Sequence, residues 1–277
     1  MAKIKLIACD MDGTLLNSSK EIPQKNIEAV KRAKEAGILF VIATGRHDSM
    51  IKSYMDELEI EMPVISCNGA IVREPFTGRT FSTHPLSTEQ MFAVIEACKE
   101  TGADYHVYCR DTIYGEQVSG KIPYYIEKNR QLPDREKVRI HTDPDYRKFI
   151  SGCDEGFYKV LVLSDSPEGL KAAEEEIKSK TGLEAAQSDS QLMDVMQKEI
   201  SKAAALKDLC AELGIEIEET AAFGDQLNDL EMIRTAGLGV AMANAVDTVK
   251  EAADIVTSKN NCDAGVAEAI DIILSGN

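Results

Sequence analysis

The chain has 277 residues, 44% hydrophobic and 28% charged, enough for two globular domains with apolar cores. A net charge of −16 disfavours a nucleic-acid partner, which would select for basic patches, but leaves a small anionic substrate open, because local lysines, helix N-termini or a metal can reverse the field inside a cleft. No apolar run approaches the ~18 residues of a membrane helix, so no membrane partner is expected.

The seven cysteines are scattered and form no Cys-x-x-Cys pair, which argues against a disulfide framework or a structural zinc. Met1-Ala2-Lys3 runs straight into the predicted first strand, so no signal peptide is expected. A cytoplasmic location is therefore expected. The sequence sets no oligomeric state.

The first strand is predicted over residues 4–9, and Asp10-Met11-Asp12-Gly13-Thr14 follows directly. Pro23 opens a helix that Gly37 stops. The continuous apolar run 38–43 reads as a parallel strand covered on both faces, followed by Thr44-Gly45-Arg46 and a helix over 48–58. A third short strand is expected at 63–66 and a hairpin over 71–83, turned at Thr77-Gly78. This alternation predicts an α/β fold with a doubly wound, Rossmann-like parallel sheet.

The rhythm changes near residue 84. A helix capped by Ser87, strands at 104–109 and 112–115, a polar helix near 119–130, a loop-rich stretch over 131–155, a strong strand at 158–163, a helix at 167–181 and a strand at 183–187 read as an inserted α/β domain over 85–189. The first rhythm returns with a strand at 191–196 and a Ser201-capped helix stopped by Gly214. Then come a strand at 220–223, Gly224-Asp225, a helix over 227–235, and alternating short elements to the end. The core is thus predicted to be discontinuous, 1–84 with 190–277.

Ligands of open α/β sheets bind beyond the carboxyl ends of the strands. Asp10 and Asp12 lie there after the first strand, Thr44, Gly45 and Arg46 after the second, and Gly224, Asp225, Asn228 and Asp229 after the strand at 220–223. Two carboxylates that close repel, and a cation is the natural compensation. Asp10 reads as a nucleophile, Asp12 as its acid/base partner and the cation as Mg²⁺, which favours hard oxygens; zinc would want clustered His or Cys. A solvated acidic loop is the plainer reading. Asp225 and Asp229 fit either metal ligation or helix capping. Thr44-Gly45 fits a phosphate cradle or an ordinary turn, and Arg46 is either solvated or ion-paired. Lys202 faces the positive end of its helix dipole, where a bound anion would offset the cost, and Lys198 is its competitor.

In this order the four stretches resemble the haloacid dehalogenase (HAD) superfamily over the whole chain. Asp10 to Thr14 resembles its first motif, Thr44 its second, Lys202 its third and Gly224 to Asp229 its fourth. The insertion between the second and third, Asn68-Gly69-Ala70, Gly239 to Met242 and Asn244-Ala245 resemble the Cof-type branch, which carries a large α/β cap. Two positions depart from the pattern: Ala203 stands where the family usually has glycine, and Ala264 separates Asp263 from Gly265.

The resemblance implies that Asp10 attacks phosphorus to form an aspartyl-phosphate, and that Asp12 protonates the leaving oxygen and then activates water. It implies Mg²⁺ held by Asp10, the Asp12 carbonyl and Asp225. Thr44, the Gly45 N–H, Lys202, Asn228 and the Met11 N–H would bind the phosphoryl oxygens, with Asp229 behind them. The implied substrate is a small phosphorylated metabolite, sugar phosphates foremost, with the cap closing over the cleft. A phosphomutase or phosphotransferase on the same aspartyl-phosphate, and a non-catalytic sugar-phosphate-binding protein, are the alternatives. Tyr105, His106, Tyr108, Tyr114, Tyr124 and Tyr125 line the cap's pocket or pack its core.

Overall fold

The computed structural model describes residues 3–189 and 191–276. In chain order the elements are β1 (Leu6–Cys9), α1 (Gln24–Glu35), β2 (Leu39–Ile42), α2 (Lys52–Glu57), β3 (Val64–Ser66), β4 (Ile71–Arg73) and β5 (Thr80–Thr83). Next come α3 (Thr88–Thr101), β6 (Asp104–Cys109), β7 (Thr112–Gly115), α4 (Ile122–Asn129), β8 (Arg139–Thr142), α5 (Tyr146–Gly152), β9 (Phe157–Leu163), α6 (Pro167–Thr181), β10 (Ala185–Asp189) and β11 (Leu192–Val195). The chain ends with α7 (Lys202–Leu213), β12 (Thr220–Gly224), α8 (Leu230–Thr235), β13 (Leu238–Ala241), α9 (Asp247–Ala252), β14 (Ile255–Val256) and α10 (Gly265–Gly276). They divide into two compact units, one of residues 1–82 and 201–277, the other of 83–200.

The first unit is built on a parallel sheet in the order β14-β13-β12-β1-β2. The inner strands β1, β12 and β13 are fully buried, as a sheet covered on both faces requires, and the edge strand β14 is partly exposed. Leu6, Ala8, Val41 and Ala222 face Leu206, Leu209, Met232, Ile233 and Val249 of α7, α8 and α9. Alternate residues point the other way, where α1 and α10 pack together. β3 does not extend this sheet as a full strand. It bridges through Ile65 to Ala43, the residue after β2, and otherwise pairs antiparallel with β4 in a small sheet completed by β5. The helix expected over 48–58 is a 3₁₀ turn, Asp48–Met50, followed by the six residues of α2.

The second unit is a six-stranded sheet in the order β10-β11-β9-β6-β7-β8 with α3, α5 and α6. Met91, Val94, Ile95, Leu170 and Ile177 from the helices share one core with Tyr105, Val107, Val160, Val162, Met193 and Val195 from the strands. Ser87 caps α3 in a capping box with Gln90. The loop-rich stretch 131–155 contains β8 and α5.

One boundary needs correction. The strand assigned to the returning core at 191–196 is β11, and it pairs antiparallel with β9 and β10 of the second unit. Met193 and Val195 are buried in that unit's core, so the chain re-enters the first unit at Ser201 rather than at 190.

Candidate active site

Strand pairing assembles the site. β1 and β12 run parallel with Cys9 opposite Phe223, so the residues after each emerge side by side. The carboxylates of Asp10, Asp225 and Asp229 come within 4.8 Å of one another, all three buried. Lys202 is the first residue of α7, which Ser201 caps by accepting from the Ala204 N–H. It is fully buried, with Nζ 2.6 Å from Asp10 Oδ1 and 2.6 Å from Asp229 Oδ1. Lys198 belongs to the second unit, its Nζ 3.2 Å from where a Gly182 side chain would begin. Of the two lysines, Lys202 reaches Asp10.

Two glycines allow this crowding. Gly13 sits at φ +87°, and a Cβ there would come 2.8 Å from Asp225 Cγ and Oδ1. A Cβ on Gly224 would lie 2.6 Å from Asp229 Cγ.

The capping question divides between the two acids. Asp229 does cap: its Oδ2 accepts from the Asp225 and Gln226 N–H groups at 3.0 Å each, while its Oδ1 takes Lys202. Asp225 has no such task. Its Oδ1 accepts from Thr14 Oγ1 at 2.8 Å and its Oδ2 from Gln226 Nε2 at 3.3 Å.

Asp12 departs from the expectation of a carboxylate left free for protons. Arg46 Nε donates to its Oδ2 and Arg46 Nη2 to its Oδ1, both at 2.6 Å, and Lys20 Nζ adds a bond to Oδ1 at 2.7 Å. Partial burial alone would raise its pKa; the Arg46 pair, then Lys20, outweigh that and hold it at about 2. Arg46 is thus ion-paired rather than solvated, brought there because β1 and β2 are adjacent.

The phosphate-compatible groups gather as well. Thr44 is buried, and its hydroxyl accepts from the Arg46 N–H at 3.1 Å. Gly45 lies against Asn68, where a Cβ would sit 3.1 Å from Oδ1, and Asn228 Nδ2 donates to that same oxygen at 3.0 Å. Asn68 adopts φ 53°, an unusual conformation for a residue other than glycine. Met11 buries its side chain completely, leaving only its backbone to the turn.

Several supporting roles escaped the sequence reading. Asn244 Nδ2 donates to the Gly13 carbonyl at 2.8 Å and its Oδ1 accepts from the Asn261 N–H at 3.0 Å, which anchors the acidic turn from the far end of the chain. Behind Arg46, the buried Asp48 pairs with the buried Arg73, and His47 Nδ1 stands 3.3 Å from Asp48 Oδ1. Those residues look like ordinary surface charges in the sequence. In the second unit Tyr105, His106, Tyr108 and Tyr114 are buried, and Tyr114 stacks on Phe149 with ring centroids 4.0 Å apart, so packing occupies them; Tyr124 is exposed against Tyr125.

The electrostatics favour a cation. Among the described residues three carboxylates converge and one ammonium, Lys202, bonds to them. Burial first, then the Asp229 charge, pushes Asp10 up to about 8 despite Lys202. Burial likewise lifts Asp225 to about 6. Burial would lower Lys202, but Asp10 and Asp229 more than reverse this and raise it. Hard carboxylate oxygens with an unbalanced buried negative charge fit a divalent cation such as Mg²⁺.

Sequence comparison adds the family. The profile of the haloacid dehalogenase-like hydrolases matches residues 7–270. The chain belongs to this family. A curated relative from Bacillus subtilis (strain 168), the 5-amino-6-(5-phospho-D-ribitylamino)uracil phosphatase YwtE, is 34% identical over 99% of each chain. A solved haloacid dehalogenase-like hydrolase from Bacteroides thetaiotaomicron superposes with a TM-score of 0.85 at 32% identity, covering 98% of this chain and 100% of that one. The HAD subclass IIB sugar phosphatase BT4131 superposes with a TM-score of 0.78 at 25% identity, covering 97% and 98%. This HAD-family protein is a phosphatase.

Proposed function

We propose that the chain hydrolyses phosphate monoesters of small polyol or sugar metabolites through an aspartyl-phosphate on Asp10, with Mg²⁺ as cofactor. The observation that carries this reading is the convergence of Asp10, Asp225, Asp229 and Lys202, drawn from three separate stretches of chain, into one buried cluster. The substrate class rests on similarity. YwtE is named for a ribityl phosphate and BT4131 for sugar phosphates, and both are esters of a polyhydroxylated carbon chain.

Asp10 supplies the nucleophilic oxygen, and Lys202 holds it while balancing charge that gathers on the phosphoryl group. The metal ligands would be the carboxylates of Asp10 and Asp225 and the Asp12 carbonyl; bound Mg²⁺ supplies charge neutralisation between nucleophile and phosphate. Asp229 stands behind them, because Lys202 and two backbone amides already engage both of its oxygens. Thr44, the Gly45 N–H, Asn228 and the Met11 N–H bind the phosphoryl oxygens.

Asp12 is the acid/base. Its pairing with Arg46 keeps it anionic, the form that takes a proton from water when the aspartyl-phosphate is hydrolysed. Protonating the leaving oxygen beforehand requires that pair to open. The test is phosphate release across a panel of sugar phosphates, polyol phosphates, nucleotides and cofactor phosphates, with and without Mg²⁺. Turnover of several sugar or polyol esters only with Mg²⁺ supports the proposal. Equal turnover in chelator removes the metal from it, and binding of the esters without release points to a non-catalytic role.

A further inference from the structure

The second unit holds three cysteines that no part of this chemistry uses, Cys98, Cys109 and Cys153, and the last two meet. Cys109 is the last residue of β6 and is fully buried. Cys153 follows α5 directly and is half-buried. Their Sγ atoms lie 3.6 Å apart, in hydrogen-bond contact, although 44 residues separate them in sequence.

The surrounding backbone holds them there. The β6–β9 register shifts between Tyr108 and Cys109, which sets Cys109 opposite Phe157. The Glu155 carboxylate accepts from the Asp111 N–H at 3.0 Å and from Thr112 Oγ1 at 3.3 Å, tying the turn after Cys109 to the loop after Cys153. The contact also divides the two thiols chemically. The hydrogen bond with Cys109, then the Glu155 N–H, brings Cys153 down to about 7, while that same bond and burial push Cys109 far up. The more exposed sulfur is therefore the one that reaches the thiolate near neutral pH.

We propose that Cys153 and Cys109 are a reversible redox pair that peroxide closes to an intrachain disulfide. The Cys153 thiolate attacks one oxygen of hydrogen peroxide, the O–O bond breaks, and a sulfenic acid forms as hydroxide leaves and takes up a proton. The Cys109 sulfur then attacks the Cys153 sulfur. The S–S bond forms, the S–O bond breaks, and the hydroxyl departs with the Cys109 proton as water. Two thiols lose two electrons and two protons, and one peroxide becomes two waters. The sulfurs must approach by about 1.5 Å to reach bonding distance, a movement within reach of a side chain at a helix end. The bond staples the end of β6 to the end of α5.

The test treats the full chain with hydrogen peroxide, blocks remaining thiols with N-ethylmaleimide and maps peptides by mass spectrometry. The expected product joins the Cys109 and Cys153 peptides with the loss of two hydrogens and is reversed by dithiothreitol. Cys262, which is exposed, is the internal control. Cys153→Ser should leave the Cys109 thiol unreacted, and Cys109→Ser should drive Cys153 on to sulfinic acid. The wild-type alkylation rate of Cys153 should rise with a midpoint near pH 7. Wild-type Cys153 reaching sulfinic acid while Cys109 stays a thiol, or staying reduced under conditions that oxidise Cys262, overturns the proposal.

Discussion

Replacing Lys202 by methionine isolates the charge balance on which the site depends. Methionine keeps most of the buried volume, so the cavity contribution is small. What is lost is the ammonium that bonds Asp10 and Asp229 at 2.6 Å each inside a fully buried environment. Removing one partner of a buried ion pair costs about 3–5 kcal/mol, because the remaining charge is left uncompensated.

The pH dependence follows from the sign of the Asp10 shift. Its folded pKa, about 8, lies above the ordinary value of 3.8. A carboxyl raised in this way loses stability as pH climbs from about 4 through its folded pKa, at about 1.4 kcal/mol per unit. In the wild type that loss ends near pH 8, where Asp10 ionises against Lys202. In the variant the pKa is higher still, so the loss continues, and by pH 9 the gap widens by about a further 1.4 kcal/mol. Thermal unfolding of the metal-free protein at pH 6 and pH 9 reads this out. At about 2–4 °C per kcal/mol, the expected drop is about 6–20 °C and larger at the higher pH. Lys198→Met should stay within about 0.5 kcal/mol. A Lys202→Met deficit under about 1 kcal/mol, or one that does not grow between pH 6 and pH 9, would refute the buried-charge reasoning.

Three further outcomes are expected. Arg46→Ala should move the Asp12 carboxyl up from about 2 toward its ordinary value, followed by ¹³C NMR titration; an unmoved midpoint would mean that Lys20 alone holds it. Gly13→Ala should destabilise by about 1–3 kcal/mol in thermal melts and weaken Mg²⁺ binding in titration calorimetry, because φ +87° and the Asp225 carboxylate both oppose a Cβ. Unchanged metal affinity would separate that turn from the metal site. Ala264→Gly should stabilise by up to about 1 kcal/mol, since Ala264 holds φ 63°, and a lower melting temperature would show that its buried methyl outweighs the strain.

Much of the site was legible because its signals are local. An apolar strand that ends in Asp10-Met11-Asp12-Gly13 declares both the strand end and the charge. Ser201 marks the start of α7 and so fixes Lys202 at its first turn. The Arg46–Asp12 pair was not legible, because it joins residues 34 apart that meet only once β1 and β2 pair. The Asp48–Arg73 pair was hidden for the same reason, each residue reading as a solvated charge until the fold buries both. The misplaced boundary has a related cause. Leu192–Val195 reads as a strand in either unit, and only its pairing with β9 and β10 decides which sheet it joins. Strand identity is written in local pattern, whereas sheet membership is set by distant partners.

Asp10→Asn decides whether Asp10 is the nucleophile. The substitution is nearly isosteric, leaves a hydrogen-bond acceptor for Lys202 and removes the attacking oxygen's charge. Phosphate release should be measured with saturating Mg²⁺ on the ester the wild type turns over fastest, beside a melting curve that verifies the fold. If Asp10 attacks phosphorus, the loss is at least about 10³-fold, over about 4 kcal/mol of transition-state stabilisation. Turnover within tenfold of the wild type in a folded Asp10→Asn protein would contradict it.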